Sequence, residues 1–338
     1  VNLLVRKLNS LIYRYRDNRW RWDPRFRDDP SLPIDRPIFL LGTQGGGLTL
    51  TARILARHPE VVSVTGDHLH WAAYHEMQNT LERALTPSFT WLLDDPPGYS
   101  FDLAQGYGIG LHTWMYASDG FWPLYHRDAQ HATPAEREGL RSLLRKTIRL
   151  NRSSATQGPG RFLDKSQTFT VKIGLLEEIL GDCNPRYVLL TRDPFAMCWR
   201  AVHKVVTVMA LRCSEQEKFE IALQHWKNSM QEALAWEGRA ALAWWRFEDL
   251  LAEPDRVIHE ICDHAELPFR PEILPGPEDR IPWGSAHDAF DRSKWYPVRP
   301  NVSARYLKEV PEWAIERVKR ECSELLERFD YHPPERVT

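Results

Sequence analysis

Residues 37–51 read PIFLLGTQGGGLTLT, and residues 52–58 continue as ARILARH. The apolar run at 37–41 predicts a buried strand, and the spacing of Leu48, Ala52 and Leu55 predicts a helix over 48–58. A strand that ends in a glycine-rich turn and feeds a helix makes an anion site. Backbone N–H groups converge in the turn, and the helix N-terminus adds partial positive charge. Gly45, Gly46 and Gly47 permit positive φ and close backbone approach, while Thr49 and Thr51 carry hydroxyls that can donate. A nucleoside triphosphate loop has the form G-x-x-x-x-G-K-[ST]. Gly42, Gly47 and Thr49 fit it, but Leu48 stands where the lysine belongs. The turn is therefore an anion cradle without its own cation, which argues against a nucleotide-dependent kinase.

Outward from this loop, short strands are expected at 61–64, 161–163, 186–191 and 241–247. Helices are expected at 173–180, closed by Gly181, from Pro194 onward, and at 215–236, 254–264 and 313–329. Such alternation predicts an α/β fold, a P-loop-like central parallel sheet flanked by helices. Residues 84–135 break the pattern. They hold Trp91, Tyr99, Phe101, Tyr107, Trp114, Tyr116, Phe121, Trp122 and Tyr125. They read as an aromatic-rich insertion, forming either a cap or acceptor-binding wall or a helical subdomain whose aromatics are core. Residues 1–36 form a basic, amphipathic N-terminal helical extension, with Leu3, Leu4, Leu8, Leu11, Ile12 and Tyr15 at helical spacing. Three roles are open to it: packing on the main domain or a sister subunit, resting on an anionic membrane surface, or a disordered arm. The main domain is expected to span 37–332.

The bulk composition narrows the classes. In 338 residues, 43% are hydrophobic and 27% charged, with a formal net charge of -2, so no global basic field favours nucleic acid. Cys183, Cys198, Cys213, Cys262 and Cys322 are scattered without metal-ligand spacing and read as free thiols of a reducing compartment. No apolar run reaches the length of a membrane span and no signal pattern is found, so the expected location is cytoplasmic, with peripheral membrane contact through residues 1–36 as a variant. Fourteen tryptophans exceed what a core commonly takes up, so some are expected to line a cleft or surface.

Three further segments join the loop. Tyr187-Val-Leu-Leu-Thr-Arg-Asp-Pro194 is a strand ending in Arg192-Asp-Pro. Arg246-Phe-Glu-Asp-Leu250 follows another strand, with Pro254 beyond. Phe162-Leu-Asp-Lys-Ser166 puts Lys165 at a third strand end. With Arg57-His-Pro59 and Ala265-Glu-Leu-Pro-Phe269, this ordered set resembles the sulfotransferases that use 3′-phosphoadenosine 5′-phosphosulfate (PAPS), in particular the bacterial and Golgi carbohydrate-type branch. The resemblance covers about residues 36–332.

It implies an enzyme that moves a sulfuryl group to a hydroxyl, or less readily an amine, of a carbohydrate or small natural product. It releases adenosine 3′,5′-bisphosphate and needs no metal. Thr43, Gln44, Gly45, Gly46, Gly47, Leu48 and Thr49 would cradle the 5′-phosphosulfate, and Arg192 would hold the 3′-phosphate. Lys165 would stand near the sulfuryl group. Asp67 would take the acceptor's proton, and His68 or His70 could serve in its place. A metal site built on His68, His70 and His75 lacks a completing ligand. Arg292 and Lys294, in a basic aromatic segment, would fold over the nucleotide.

Two departures from the pattern stand out. The family's loop Arg or Lys aligns with Gly45, and its 3′-phosphate serine aligns with Arg200. Arg200 either supplies charge in the serine's place or points away along its helix. The missing loop cation is replaced by Lys165 with Arg192, Arg292 or Lys294, or the site binds without turnover. A non-catalytic nucleotide- or glycan-binding protein, perhaps a partner subunit, is thus the second reading. A homo-oligomer through the N-terminal helix is compatible with either.

Overall fold

β1 (Ile38–Gly42), β2 (Val61–Ser63), β3 (Arg161–Asp164), β4 (Arg186–Thr191) and β5 (Leu242–Arg246) form one parallel sheet in the order β2-β3-β1-β4-β5. The computed structural model describes residues 27–63, 115–152, 154–165, 167–203, 214–276, 279, 281–282, 295–296 and 302–335. The strand that feeds the glycine loop is central, pairing β3 on one side and β4 on the other.

The helices among the described residues are α1 (Leu48–Leu55), α2 (Trp122–Tyr125), α3 (Pro134–Asn151), α4 (Ile173–Leu180), α5 (Pro194–His203), α6 (Glu215–Leu234), α7 (Phe247–Ala252), α8 (Pro254–His264), α9 (Ala304–Glu309) and α10 (Glu312–Phe329). Alternate residues of each strand face opposite layers. Ile38, Leu40, Leu163, Val188 and Leu190 pack with the apolar faces of α1, α7 and α8. Phe39, Leu41, Phe162, Tyr187 and Leu189 pack with α3, α4, α5, α6 and α10. Burial on both faces explains why β1 and β4 read as continuous apolar runs instead of alternating ones.

Several boundaries differ from those expected. The first helix stops at Leu55 instead of reaching His58, because Pro59 disfavours helical geometry at the residue before it. His58 is buried there, its Nε2 2.9 Å from the Pro268 carbonyl. The strand expected to include Phe247 ends at Arg246, which caps α7. Helix α3 was not anticipated. It opens on a capping box, Thr133 and Glu136 exchanging hydrogen bonds around Pro134.

Within the insertion, Tyr116, Phe121 and Tyr125 form a small buried cluster with Val171, so these three aromatics are core. Residues 84–114 lie outside the described residues. Of the N-terminal extension, residues 27–36 pack on the main body: Leu32 and Ile34 lie against the larger core, and Arg145 Nε and Nη2 reach Asp28 Oδ1 and Oδ2 at 2.8 and 2.5 Å. A two-stranded antiparallel piece pairs β6 (Ile281–Pro282) with β7 (Trp295–Tyr296). No helix among the described residues is long and apolar enough to cross a membrane.

Candidate active site

The loop sits at the carboxyl end of β1, where the chain leaves the centre of the sheet. Open α/β sheets bind ligands at such a point. Gly42 has φ 138°, and Leu190 of the neighbouring strand lies so close that an added Cβ would stand 2.4 Å from its carbonyl oxygen. Thr170 Oγ1 accepts from Gly42 N–H at 2.8 Å, and Tyr116 Oη donates to Gly42 O at 2.9 Å. The start of the loop is therefore held from two sides.

Inside the loop the residues divide by task. Thr43 is buried, with its hydroxyl 2.9 Å from Met197 Sδ, and its carbonyl accepts from Gly46 N–H at 3.0 Å. That bond closes a turn and takes up the Gly46 donor. Gln44 Oε1 is enclosed without a hydrogen-bond partner. Gly45 and Gly47 have φ 87° and 93°, a region costly for other residues. A Cβ on Gly47 would lie 2.1 Å from the Phe247 ring, which packs directly on the loop.

Leu48 gives its side chain to the core. The Thr51 hydroxyl, expected to be available, donates to Gly47 O at 3.3 Å. Thr49 is half-buried on the first turn of α1. That turn has no side-chain cap, and its first backbone bond runs from Thr51 N–H to Gly47 O. The N–H groups of Leu48, Thr49 and Leu50 precede that bond and are left for an anion.

Arg192 follows β4 and lies alongside this loop, 2% exposed. Its Nη1 donates to Gly45 O at 2.7 Å, and its Nε and Nη2 donate to Ser303 Oγ at 3.2 and 3.0 Å. The guanidinium lies over the Phe247 ring at 5.2 Å. Burial lowers its pKa from the usual value, opposed by Glu248 and Asp193. Its hydrogen bonds go to the loop and to Ser303, and Glu248 and Asp193 act on it only through their charge. Asp193 is spent on its own helix, Oδ1 accepting from Ala196 N–H at 3.0 Å, and burial pushes its pKa up to about 6.

Lys165 follows β3 at the same end of the sheet and is 1% exposed. Arg200, half-buried on α5, places Nη1 2.5 Å from the point where a Cβ on Gly45 would stand. The fold thus brings the loop, Arg192 and Arg200 together, with Lys165 at the same sheet end. Asp67, His68, His70, His75, Arg292 and Lys294 lie outside the described residues. Ser303, Tyr116 and Thr170 were missed. They are single polar residues with no motif around them, and only the tertiary fold joins them to the loop. A cavity of about 460 Å³ lined by Asp119, Trp122, Asn228, Gln231 and Glu232 shares no residue with the loop, and its carboxylates do not suit an anion.

The model of the sulfotransferase family matches residues 37–271. No curated protein matches the chain. Among solved structures, the sulfotransferase domain from the curacin biosynthetic pathway is 18% identical, with TM-score 0.53, covering 89% of this chain and 100% of that one. The sulfotransferase domain from the Synechococcus PCC 7002 olefin synthase is 17% identical, with TM-score 0.54, covering 91% and 99%. Sulfotransferase STF9 from Mycobacterium avium is 16% identical, with TM-score 0.53, covering 96% and 83%. At these identities the structures speak for the fold. The family match, over more than half the chain, carries the assignment: this chain belongs to the sulfotransferase family and is a transferase.

Proposed function

We propose that the chain transfers a sulfuryl group from PAPS to a hydroxyl of a small-molecule or carbohydrate acceptor. One observation carries the choice of donor: an uncapped helix start behind three glycines, with a buried arginine fastened to the loop carbonyl. The residues present fit such a donor. The loop supplies N–H groups and no carboxylate, the cations Arg192 and Arg200 lie against it, and Lys165 stands at the same end of the sheet. When bound, PAPS supplies the activated sulfuryl group. The N–H groups of Leu48, Thr49 and Leu50 hold the oxyanions, and Arg192 fixes the loop's shape through Gly45 O while adding a full positive charge beside it. Asp67, or His68 or His70, is assigned the acceptor's proton. The sulfotransferase domain from the curacin pathway is named for a natural-product pathway, which favours a small natural product among the acceptors.

The second reading, binding without turnover, draws on Arg192, whose three donor nitrogens are already engaged. The test is calorimetric titration with adenosine 3′,5′-bisphosphate, with Mg-ATP as control, followed by radiolabel transfer from PAPS to an acceptor panel. We expect micromolar binding of the bisphosphate, weakened by at least tenfold in Arg192→Ala, and transfer that is lost in Lys165→Ala. Bisphosphate binding without transfer to any acceptor would favour the second reading. No binding in the folded wild-type protein would remove PAPS as the donor.

A further inference from the structure

Two positions at which this chain departs from the sulfotransferase pattern, Gly45 and Arg200, meet in space. Gly45 carries no side chain, and its φ of 87° selects against one. The volume a Cβ would enter is taken by the Arg200 guanidinium, with Nη1 2.5 Å and Cζ 3.4 Å from that point. A Cβ at 45 and the guanidinium in this position cannot share that point, so a side chain at 45 would displace the Arg200 head.

The other cations are placed differently. Arg192 lies on the carbonyl side of Gly45, with Nη1 on that oxygen and its remaining donors on Ser303. Leu48, where a triphosphate loop has its lysine, is packed into the core. Lys165 follows β3, whose Asp164 pairs with Phe39, three residues below the end of β1. Arg200 is the arginine brought to Gly45 from α5, and it remains half-buried instead of sealed in the core.

We infer that Arg200 is the cation of the glycine loop, delivered from α5 over Gly45, and that it binds the 5′-phosphate side of the nucleotide. This rests on the PAPS reading above. The physical reason is the concentration of donors. Backbone N–H groups at a helix start fix an oxyanion's position but contribute only partial charge. A guanidinium against the same loop adds a full charge and a planar pair of donors suited to a phosphate or phosphosulfate oxygen. Ser303, whose hydroxyl accepts from Nε and Nη2 of Arg192, leaves a hydroxyl beside the arginine assigned to the 3′-phosphate.

The test uses three probes on the full chain: adenosine 3′,5′-bisphosphate, adenosine 5′-monophosphate and adenosine 3′-monophosphate. Affinities are measured calorimetrically for the wild type, Arg200→Ala and Arg200→Lys, with thermal unfolding of each to confirm that it folds. Arg200→Ala should weaken the bisphosphate and the 5′-monophosphate by the same factor, on the order of tenfold to a hundredfold, the range of a charge-assisted hydrogen bond. The 3′-monophosphate should be unaffected, and Arg200→Lys should recover part of the loss. Gly45→Ala, which drives a methyl into the guanidinium, should show the same 5′-selective loss.

If Arg200→Ala instead weakens only the probes carrying a 3′-phosphate, Arg200 serves the 3′ side and the inference is overturned. Unchanged affinity for all three probes removes Arg200 from the site, with the same result. A folded wild type that binds neither the bisphosphate nor the 5′-monophosphate overturns the PAPS reading itself, before any variant is compared, and the assignment of Arg200 falls with it.

Discussion

Gly42 and Gly158 both have positive φ, 138° and 62°, but their surroundings separate them. A Cβ at Gly42 would meet the Leu190 carbonyl at 2.4 Å, an atom fixed by the sheet, whereas a Cβ at Gly158 would meet nothing within 4 Å. Gly42→Ala should therefore cost roughly 3 kcal/mol or more, and Gly158→Ala about 1 kcal/mol, from backbone strain alone. Denaturant unfolding of the two variants checks this, and equal losses would show that the close approach to β4 is not the constraint. At this scale the sequence was partly legible. Three adjacent glycines and the absent lysine announced an anion loop without a cation, because both are local facts. The contacts of Arg192 with Ser303, 111 residues away, and of Arg200 with Gly45 have no local signature. The hydroxyls of Thr43 and Thr51 are turned to Met197 and Gly47 O, so both brace the loop from within.

Among elements, strands buried on both faces read clearly as apolar runs, and β1 and β4 fall within a residue of their expected ends. Helix α3 was hidden by its composition. Residues 134–151 are rich in arginine, and only one narrow face, Leu140, Leu144 and Ile148, is fully buried. Its start was nonetheless written in Thr133-Pro134 and Glu136, so Thr133→Ala should cost about 1 kcal/mol by removing one half of the capping box. A larger element-scale effect is expected at Arg161 on β3. Its guanidinium donates to Arg36 O at 2.9 and 2.7 Å, to Ala265 O at 2.7 Å and to Glu266 O at 3.2 Å. It thereby ties the entry of β1 to the exit of α8 from inside the core. Arg161→Met keeps much of the volume and leaves three carbonyls without that donor, which should cost on the order of 3 kcal/mol or more in denaturant unfolding. A loss as small as that of Thr133→Ala would mean that other donors or water reach those carbonyls.

For the whole molecule, two buried groups set opposing responses to acid. His225 on α6 is enclosed against Tyr116, its Nδ1 accepting from Ala117 N–H at 3.2 Å, and burial lowers its pKa to about 3. Between its unfolded value of 6.5 and about 3, the unfolded chain holds a proton that the folded chain lacks. Stability is therefore complete above 6.5 and is lost as pH falls through that window. Asp193 has the reverse sign. Its pKa rises from 3.8 to about 6, so in that window the folded chain holds the extra proton and stability grows as pH falls. Where the windows overlap, between about 6 and 4, the two slopes are equal and opposite, about 1.4 kcal/mol per pH unit each, and largely cancel. Asp193→Asn keeps an oxygen for the Ala196 N–H and removes the titration. It should be more stable than the wild type at pH 7, by on the order of 2–3 kcal/mol, with the difference vanishing below about pH 4. The variant should also lose more stability with acid between pH 6 and 4 than the wild type does, because the opposing slope of Asp193 is gone while His225, and His264 whose pKa burial also lowers, still titrate. Unfolding free energies of both proteins across pH 4–7 decide the matter. A difference that stays constant with pH would mean that Asp193 is already titrated normally in the folded chain, and that the turn joining β4 to α5, beside Arg192, is open to water.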